Sequence, residues 1–311
     1  MEEGQSELEA RLAKEQRSRN RKVEAALLAA AALLGRSKKI SIWQLHATQY
    51  DLSAMAARHG KSATIVLRPV TTTQAQAKDL GLLYLAPVKS WSQSIREDVL
   101  PAYSDYDVQP TLLETQLDTA KDSGIRKAMT AAGSAGLALW LAKFSAWHIG
   151  YFARVVKAGV DIDISPLTST FDVTSVIEAA TSRNEALFRS VADDIANRVT
   201  NIAWSGVRAG LTEQQVVQQF NAALQIVNRR ALNIGIDQTV KIGADLDKFR
   251  AAQAGLGEYM WHHTSEEHPR IWHKARNGKV YSWAKPPYDG PPGSLPHCKC
   301  RAQSIVGLAK Q

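Results

Sequence analysis

Apolar residues recur at intervals of three and four through most of this 311-residue chain, and the pattern breaks near its end. That spacing places apolar side chains on one face of a helix. Residues 2–35 carry Leu8 and Leu12 among Glu, Arg and Lys, with neither Gly nor Pro between Gln5 and Gly35, and predict one long helix. Its first half is polar on all sides, which favours docking on something outside the chain. Trp43 to His59 reads as helix, and Ala63 to Val70 as a short β-branched strand closed by Pro69. Trp91, Ile95 and Val99 mark an amphipathic segment over 90–100, ended by Pro101.

The middle of the chain is helical throughout. Thr111 to Glu114 fits a capping box, in which the threonine caps a helix and the glutamate reaches back to its free amide. A helix over 134–159 carries Trp140, Phe144, Trp147, Tyr151 and Val155 as one aromatic stripe, a core signature. Val160 to Ile164 alternates apolar and acidic residues as a short β-like run. From Val173 to Gly255 a helical array follows, with Thr212–Gln215 as a second capping box after Gly210. Within it Val217, Phe220, Leu224, Val227, Ala231 and Ile234 form a seam for a neighbouring helix. Tyr259 to Trp261 has strand character. The expected fold is mainly α, with a small α+β, hairpin- and loop-rich C-terminal domain. The divisions are 1–39 (extended helix), 40–165 (mostly helical), 166–256 (helical array) and 257–311 (C-terminal knob).

Composition changes the picture only at that knob. Overall, 45% apolar and 22% charged residues are ordinary for a globular protein. Between Trp261 and Ala302, however, lie five of the eight histidines, both cysteines and six of the eleven prolines. Pro286-Pro287 and Pro291-Pro292 cannot continue a helix. From His268 onward, eight Lys/Arg face a single acidic residue, Asp289, so most of the formal charge of +8 sits there and suits an anionic neighbour. Cys298 and Cys300 are too close in sequence for an easy mutual disulfide, so the chain is expected to mature in a reducing cytoplasm. The apolar run from Ala25 to Leu34 is half the length needed to span a bilayer, and no membrane association is expected.

Asn277-Gly278 between Trp272-His273 and Val280-Tyr281 predicts a tight hairpin whose two central residues both take positive φ. If the Pro-rich loop folds back, Cys298 and Cys300 return near His273. His273, Cys298 and Cys300 then suit a structural zinc, with His268, His297 or Glu266 as the fourth ligand. Of these, His268 is the expected fourth ligand. The competing reading is that the cysteines are small buried hydrophobes. A nuclease would need the histidine to activate water near a metal, with Arg270 or Lys274 holding phosphate. No HEXXH motif or paired acidic cluster supports it. Asp289 reads as a turn former.

The same residues resemble the phage Mu F-like minor head protein domain of the phage head morphogenesis family. The resemblance runs through Asp237-Gln238, Gly257-Glu-Tyr259-Met-Trp261, Thr264-Ser265 with Arg270 and His273, and Gly278-Lys-Val-Tyr-Ser-Trp283. It continues through Pro286-Pro287, Pro292-Gly293 and Cys298-Lys-Cys300, and so covers about residues 237–302. Glu266, His268 and Lys299 depart from the pattern's Asp, Arg and Arg. The resemblance implies a non-enzymatic minor component of a tailed-phage head, assembled in the bacterial cytoplasm. It would sit inside the head near the portal protein, against major capsid or scaffold protein. Non-specific contact with double-stranded DNA would fall to Arg270, Lys274, Arg276, Lys279, Lys299 and Arg301. The alternatives are a metal-dependent nuclease or hydrolase using the His/Cys cluster, and a host DNA-binding module.

Overall fold

The computed structural model describes residues 49–104, 110–127, 135–168, 173–264 and 270–307. The long helix expected over 2–35 lies outside them. In chain order the elements are α1 (Leu52–Arg58), β1 (Ile65–Val66), α2 (Gln74–Tyr84), α3 (Ala86–Ser94), a π-helical turn (Ile95–Val99) and α4 (Leu100–Ser104). Then come α5 (Pro110–Lys127), α6 (Ala135–Val160), α7 (Ser165–Thr168), α8 (Thr174–Ala209) and α9 (Glu213–Gln253). The chain closes with β2 (Glu258–His262), α10 (Ile271–Lys274), β3 (Val280–Ser282) and β4 (Arg301–Val306). The protein is thus mainly α with a small antiparallel sheet.

Helices α8 and α9 form an antiparallel pair. Gly210 ends α8 with φ +62°, a left-handed cap that glycine adopts without strain. Thr212 and Gln215 then start α9 with the predicted capping box, each satisfying the other's free amide. Arg230 crosses to Asp194 at 2.7 Å and to Ser190 at 2.8 Å, and Arg183 reaches Gln238 at 2.8 Å. The buried seam of α9 is Val216, Phe220, Ala223, Val227 and Ala231. It starts one residue earlier than predicted and leaves Val217, Leu224 and Ile234 half-buried.

Two apolar cores result. The first joins α2, α3, α5, α8 and α9 around Trp91, Leu137, Phe188, Ile195 and Phe220. There Tyr84 stacks on Phe188 at 4.1 Å and donates its hydroxyl to Asn184 at 2.6 Å. The second joins Leu52, Leu67, Phe152, Val156, Tyr259, Trp261 and Cys298. Helix α6 belongs to both, with Leu137 and Leu141 in one and Phe152 and Val156 in the other. Its predicted aromatic stripe is continuous: Trp140 on Phe144 at 4.7 Å, Phe144 on Trp147 at 5.4 Å, Trp147 on Tyr151 at 5.6 Å.

The sheet order is β1-β4-β2-β3, antiparallel throughout. Strand β1 pairs Ile65 with Val306 and Val66 with Ile305, so residues from the first quarter of the chain finish the C-terminal sheet. The knob therefore shares its sheet and core with segments assigned by sequence to 40–165. Four local expectations change. Pro101 lies inside α4 rather than ending a helix; the preceding wide turn, closed by Leu100 N–H to the Ile95 carbonyl, eases the crowding that proline creates. Helix α5 begins at Pro110, which puts Thr111 inside the first turn instead of before it. Residues 161–164 form no strand, although Ile162 and Ile164 are buried and Asp161 and Asp163 exposed as the alternation predicted. The hairpin partner of β3 is β2, since residues 271–274 form the helical turn α10.

Helices α2 and α9 touch backbone to backbone. A Cβ on Gly235 would lie 2.4 Å from the Gly81 Cα and 2.5 Å from its nitrogen. Propensity alone favours alanine over glycine in a helix by about 1 kcal/mol, but overpacking a fixed contact costs about 1–3 kcal/mol. Gly235→Ala is therefore expected to destabilise the protein in urea denaturation. A midpoint unchanged or raised would show that the two helices do not cross this closely.

Candidate metal centre

Three elements converge on one point. Strand β2 ends at His262 and leads to His263; α10 carries His273; the loop before β4 carries Cys298 and Cys300. His273 Nδ1 lies 3.4 Å from the Cys298 sulfur and 3.7 Å from the Cys300 sulfur. His273, Cys298 and Cys300 are all 3% exposed, and their donor atoms lie within 4.8 Å of one another. His263 Nδ1 approaches the Cys300 sulfur at 3.4 Å. The predicted trio is thus assembled, and His263, to which no role was assigned from sequence, stands beside it. His268 and Glu266 lie outside the described residues. His297 is exposed and is not in the cluster.

The fold forces this convergence in steps. Gly278, at φ +75°, donates its N–H to the Trp261 carbonyl at 2.8 Å, which turns the chain from α10 into β3. Asn277 has ordinary φ, so the predicted two-residue hairpin does not form; its side chain instead accepts the His263 amide at 2.9 Å. Tyr259 and Trp261 are fully buried, and Trp283 packs on Tyr259 at 4.3 Å. The Pro-rich stretch is a succession of turns, closed by Gly290 N–H to Pro287, Ser294 N–H to Pro291 and Cys298 N–H to Leu295. Gly293 takes φ +86°, and a Cβ there would meet Ala244 of α9 at 2.9 Å. Asp237 of α9 accepts the His297 amide at 2.7 Å and so holds the cysteine-bearing loop against the helix. That is a physical role for the Asp237 of the sequence motif.

Asp289 organises the far side of His273. Its carboxylate accepts Arg276 at 2.6 Å, Trp272 Nε1 at 3.0 Å and His273 Nε2 at 3.1 Å, with its side chain 7% exposed. Burial opposes its ionisation, but the hydrogen bonds from Arg276 and His273 and the Arg276 charge outweigh this and hold the carboxyl below its usual range. An ionised carboxylate only accepts, so His273 donates from Nε2 and the ring is turned with Nδ1 toward the sulfurs. Arg276 is covered by Trp261 at 5.0 Å and Tyr288 at 5.4 Å. Asp289 does form a turn, the one closed by Gly290 N–H to the Pro287 carbonyl, and its carboxylate has this second role that the sequence reading did not include. Its partners come from α10 and the residues after it, a distance along the chain that no local pattern encodes.

Each sulfur alters the other's hold on its proton. A hydrogen bond from the Cys300 thiol, aided by the backbone N–H groups of Gly293 and Cys300 and by His273, outweighs burial and lowers Cys298 to about 5. That same bond, with burial and the charge on Cys298, pushes Cys300 up. The backbone N–H of Thr264 also faces the Cys300 sulfur.

The phosphate-contact set divides. Arg301 is 3% exposed and donates to Thr72 and to the Val240 carbonyl, fastening β4 to α9. Arg276 is occupied by Asp289, so both arginines leave the set. Arg270 is half-buried and donates to the Pro296 carbonyl at 2.9 Å. Lys274, Lys279 and Lys299 are exposed.

These contacts are carried by the segment from α8 through the cysteine loop to β4. Residues 193–303 match the phage Mu protein F like family. The Mu F-like region holds every residue of the cluster. An uncharacterised protein of Haemophilus influenzae is 27% identical over 147 residues, 47% of this chain and 33% of that protein. The chain thus covers a third of that relative's length. No solved structure matches.

Removing one partner of a buried ion pair leaves the other uncompensated, at a cost of about 3–5 kcal/mol. Asp289→Ala strands both Arg276 and the His273 N–H, so a loss in that range is expected from urea titration. A loss below about 1 kcal/mol would show that the carboxylate does not organise the site.

Proposed function

We propose that this chain is a structural protein of phage head morphogenesis, a minor head component of a tailed bacteriophage. The observation that carries the reading is the Mu F-like match over 193–303, reinforced by the order of its motifs from Asp237 to Cys300. In this reading the C-terminal clasp and the helical body act as an architectural part built in near the portal, inside the head. Portal, major capsid or scaffold protein are the partners, and assembly takes place in the bacterial cytoplasm. Among the described residues no helix is long and apolar enough to cross a membrane.

Two features support docking. Ile271 is 82% exposed and Tyr288 87%, large apolar surfaces held on a rigid clasp by Trp272–Asp289 and Arg276. The basic excess after His268 suits packaged DNA, and its accessible members Lys274, Lys279 and Lys299 are the residues through which we assign that contact.

Inactivating the gene in the phage or prophage that carries it is expected to yield defective heads with normal tails. Mass spectrometry of wild-type heads is expected to find the chain. Normal heads that lack the protein would sink the assignment. For the DNA contact, reversing Lys274, Lys279 and Lys299 to Glu is expected to weaken binding equally across sequences and to flatten the salt slope by roughly one per lysine. An unchanged slope would remove DNA from the list of partners, and metal-stimulated cleavage by the wild-type protein would favour an enzyme.

A further inference from the structure

We propose that His263, His273, Cys298 and Cys300 hold one zinc ion, through Nδ1 of each histidine and both sulfurs. A tetrahedral zinc with Zn–N of about 2.0 Å and Zn–S of about 2.3 Å sets nitrogen-to-sulfur edges of about 3.5 Å. The edges here are 3.4 Å and 3.7 Å from His273 and 3.4 Å from His263. The two sulfurs and the His273 nitrogen thus already stand at the separations of a zinc coordination shell, with His263 beside Cys300. Two histidines and two cysteines form a closed structural donor set rather than an open catalytic one.

The surroundings are those of a built site. Asp289 takes the Nε2 proton of His273 and orients Nδ1, the arrangement by which a carboxylate fixes the tautomer of a metal-bound histidine. Backbone N–H groups of Gly293 and Cys300 face the Cys298 sulfur, and that of Thr264 faces the Cys300 sulfur. Such donors stabilise thiolates, the form that binds metal. Trp261 closes the cluster edge-on to His273 at 5.0 Å, excluding water. His273, Cys298 and Cys300 are already mutually placed, and the half-buried His263 ring, 3.4 Å from the Cys300 sulfur, would complete the set by closing on the same point. The ion would tie α10 to the end of β2 and the start of β4, which the sheet already pairs through His262 and Arg301.

The test uses the full chain, purified without chelator. Elemental analysis is expected to find about one zinc per chain, and cobalt(II) exchanged into the site is expected to show tetrahedral d–d bands with thiolate-to-cobalt charge transfer. Chelator is expected to remove the metal and lower Tm. His263→Ala is expected to reduce zinc affinity by at least tenfold while leaving the far-UV circular dichroism unchanged. Cys298→Ser with Cys300→Ser is expected to abolish binding; should that variant not fold, the cobalt spectrum of the wild-type protein decides alone. Native protein without zinc and without a charge-transfer band on cobalt addition overturns the site, as does a native Cys298–Cys300 disulfide. Undiminished affinity in His263→Ala overturns the fourth ligand.

Discussion

One buried carboxylate sets the geometry of the C-terminal clasp. Asp289 receives Arg276, Trp272 and His273 at once, from α10 and the turn after it, while itself lying in the Pro-rich loop. A charge removed from water is tolerated only when its oxygens are filled, and here three donors fill them. The consequence reaches beyond stability. Because the carboxylate holds Nε2, it is Nδ1 of the His273 ring that meets the two sulfurs. Loop conformation, ring orientation and the character of the cysteine pocket follow from one interaction.

The clasp is fastened to the helical body at three points along α9. Asp237 holds the His297 amide, Gly293 packs on Ala244 without room for a side chain, and Arg301 reaches the Val240 carbonyl. These contacts recur on a helix that also lines the first core, so the sulfur pocket is positioned by the same element that pairs with α8. Helix α6 makes a second link, since it runs from the helical core into the core beneath the sheet. Burial of Trp261, Tyr259 and Phe152 in that second core, each worth about 1.5–3 kcal/mol, joins β-structure and helices into one apolar interior.

Much of the helical body was legible in the sequence, because its signals are local. The capping box at Thr212, the left-handed glycine at 210 and the aromatic stripe of α6 depend on residues within four positions of one another. The meeting of His273 with Cys298 and Cys300 was also legible, through residue type and the folding back that prolines imply. What escaped was decided at a distance. The pairing of Ile65 with Val306 spans most of the chain, and Arg301 reads as a surface cation until Thr72 and α9 enclose it. Asn277-Gly278 was misread because a two-residue turn and a turn following a short helix share the same glycine. Asp289 and His263 were missed as members of the site because their partners are tens of residues away or lie across the sheet.

The most direct test of this account is the protonation of the His273 ring, read from long-range proton–nitrogen NMR correlations on histidine-labelled, metal-replete protein. The account predicts a neutral ring with its proton on Nε2, held by Asp289, and no proton on Nδ1. A proton on Nδ1 would contradict it, because that nitrogen could then present no lone pair to a metal between the sulfurs.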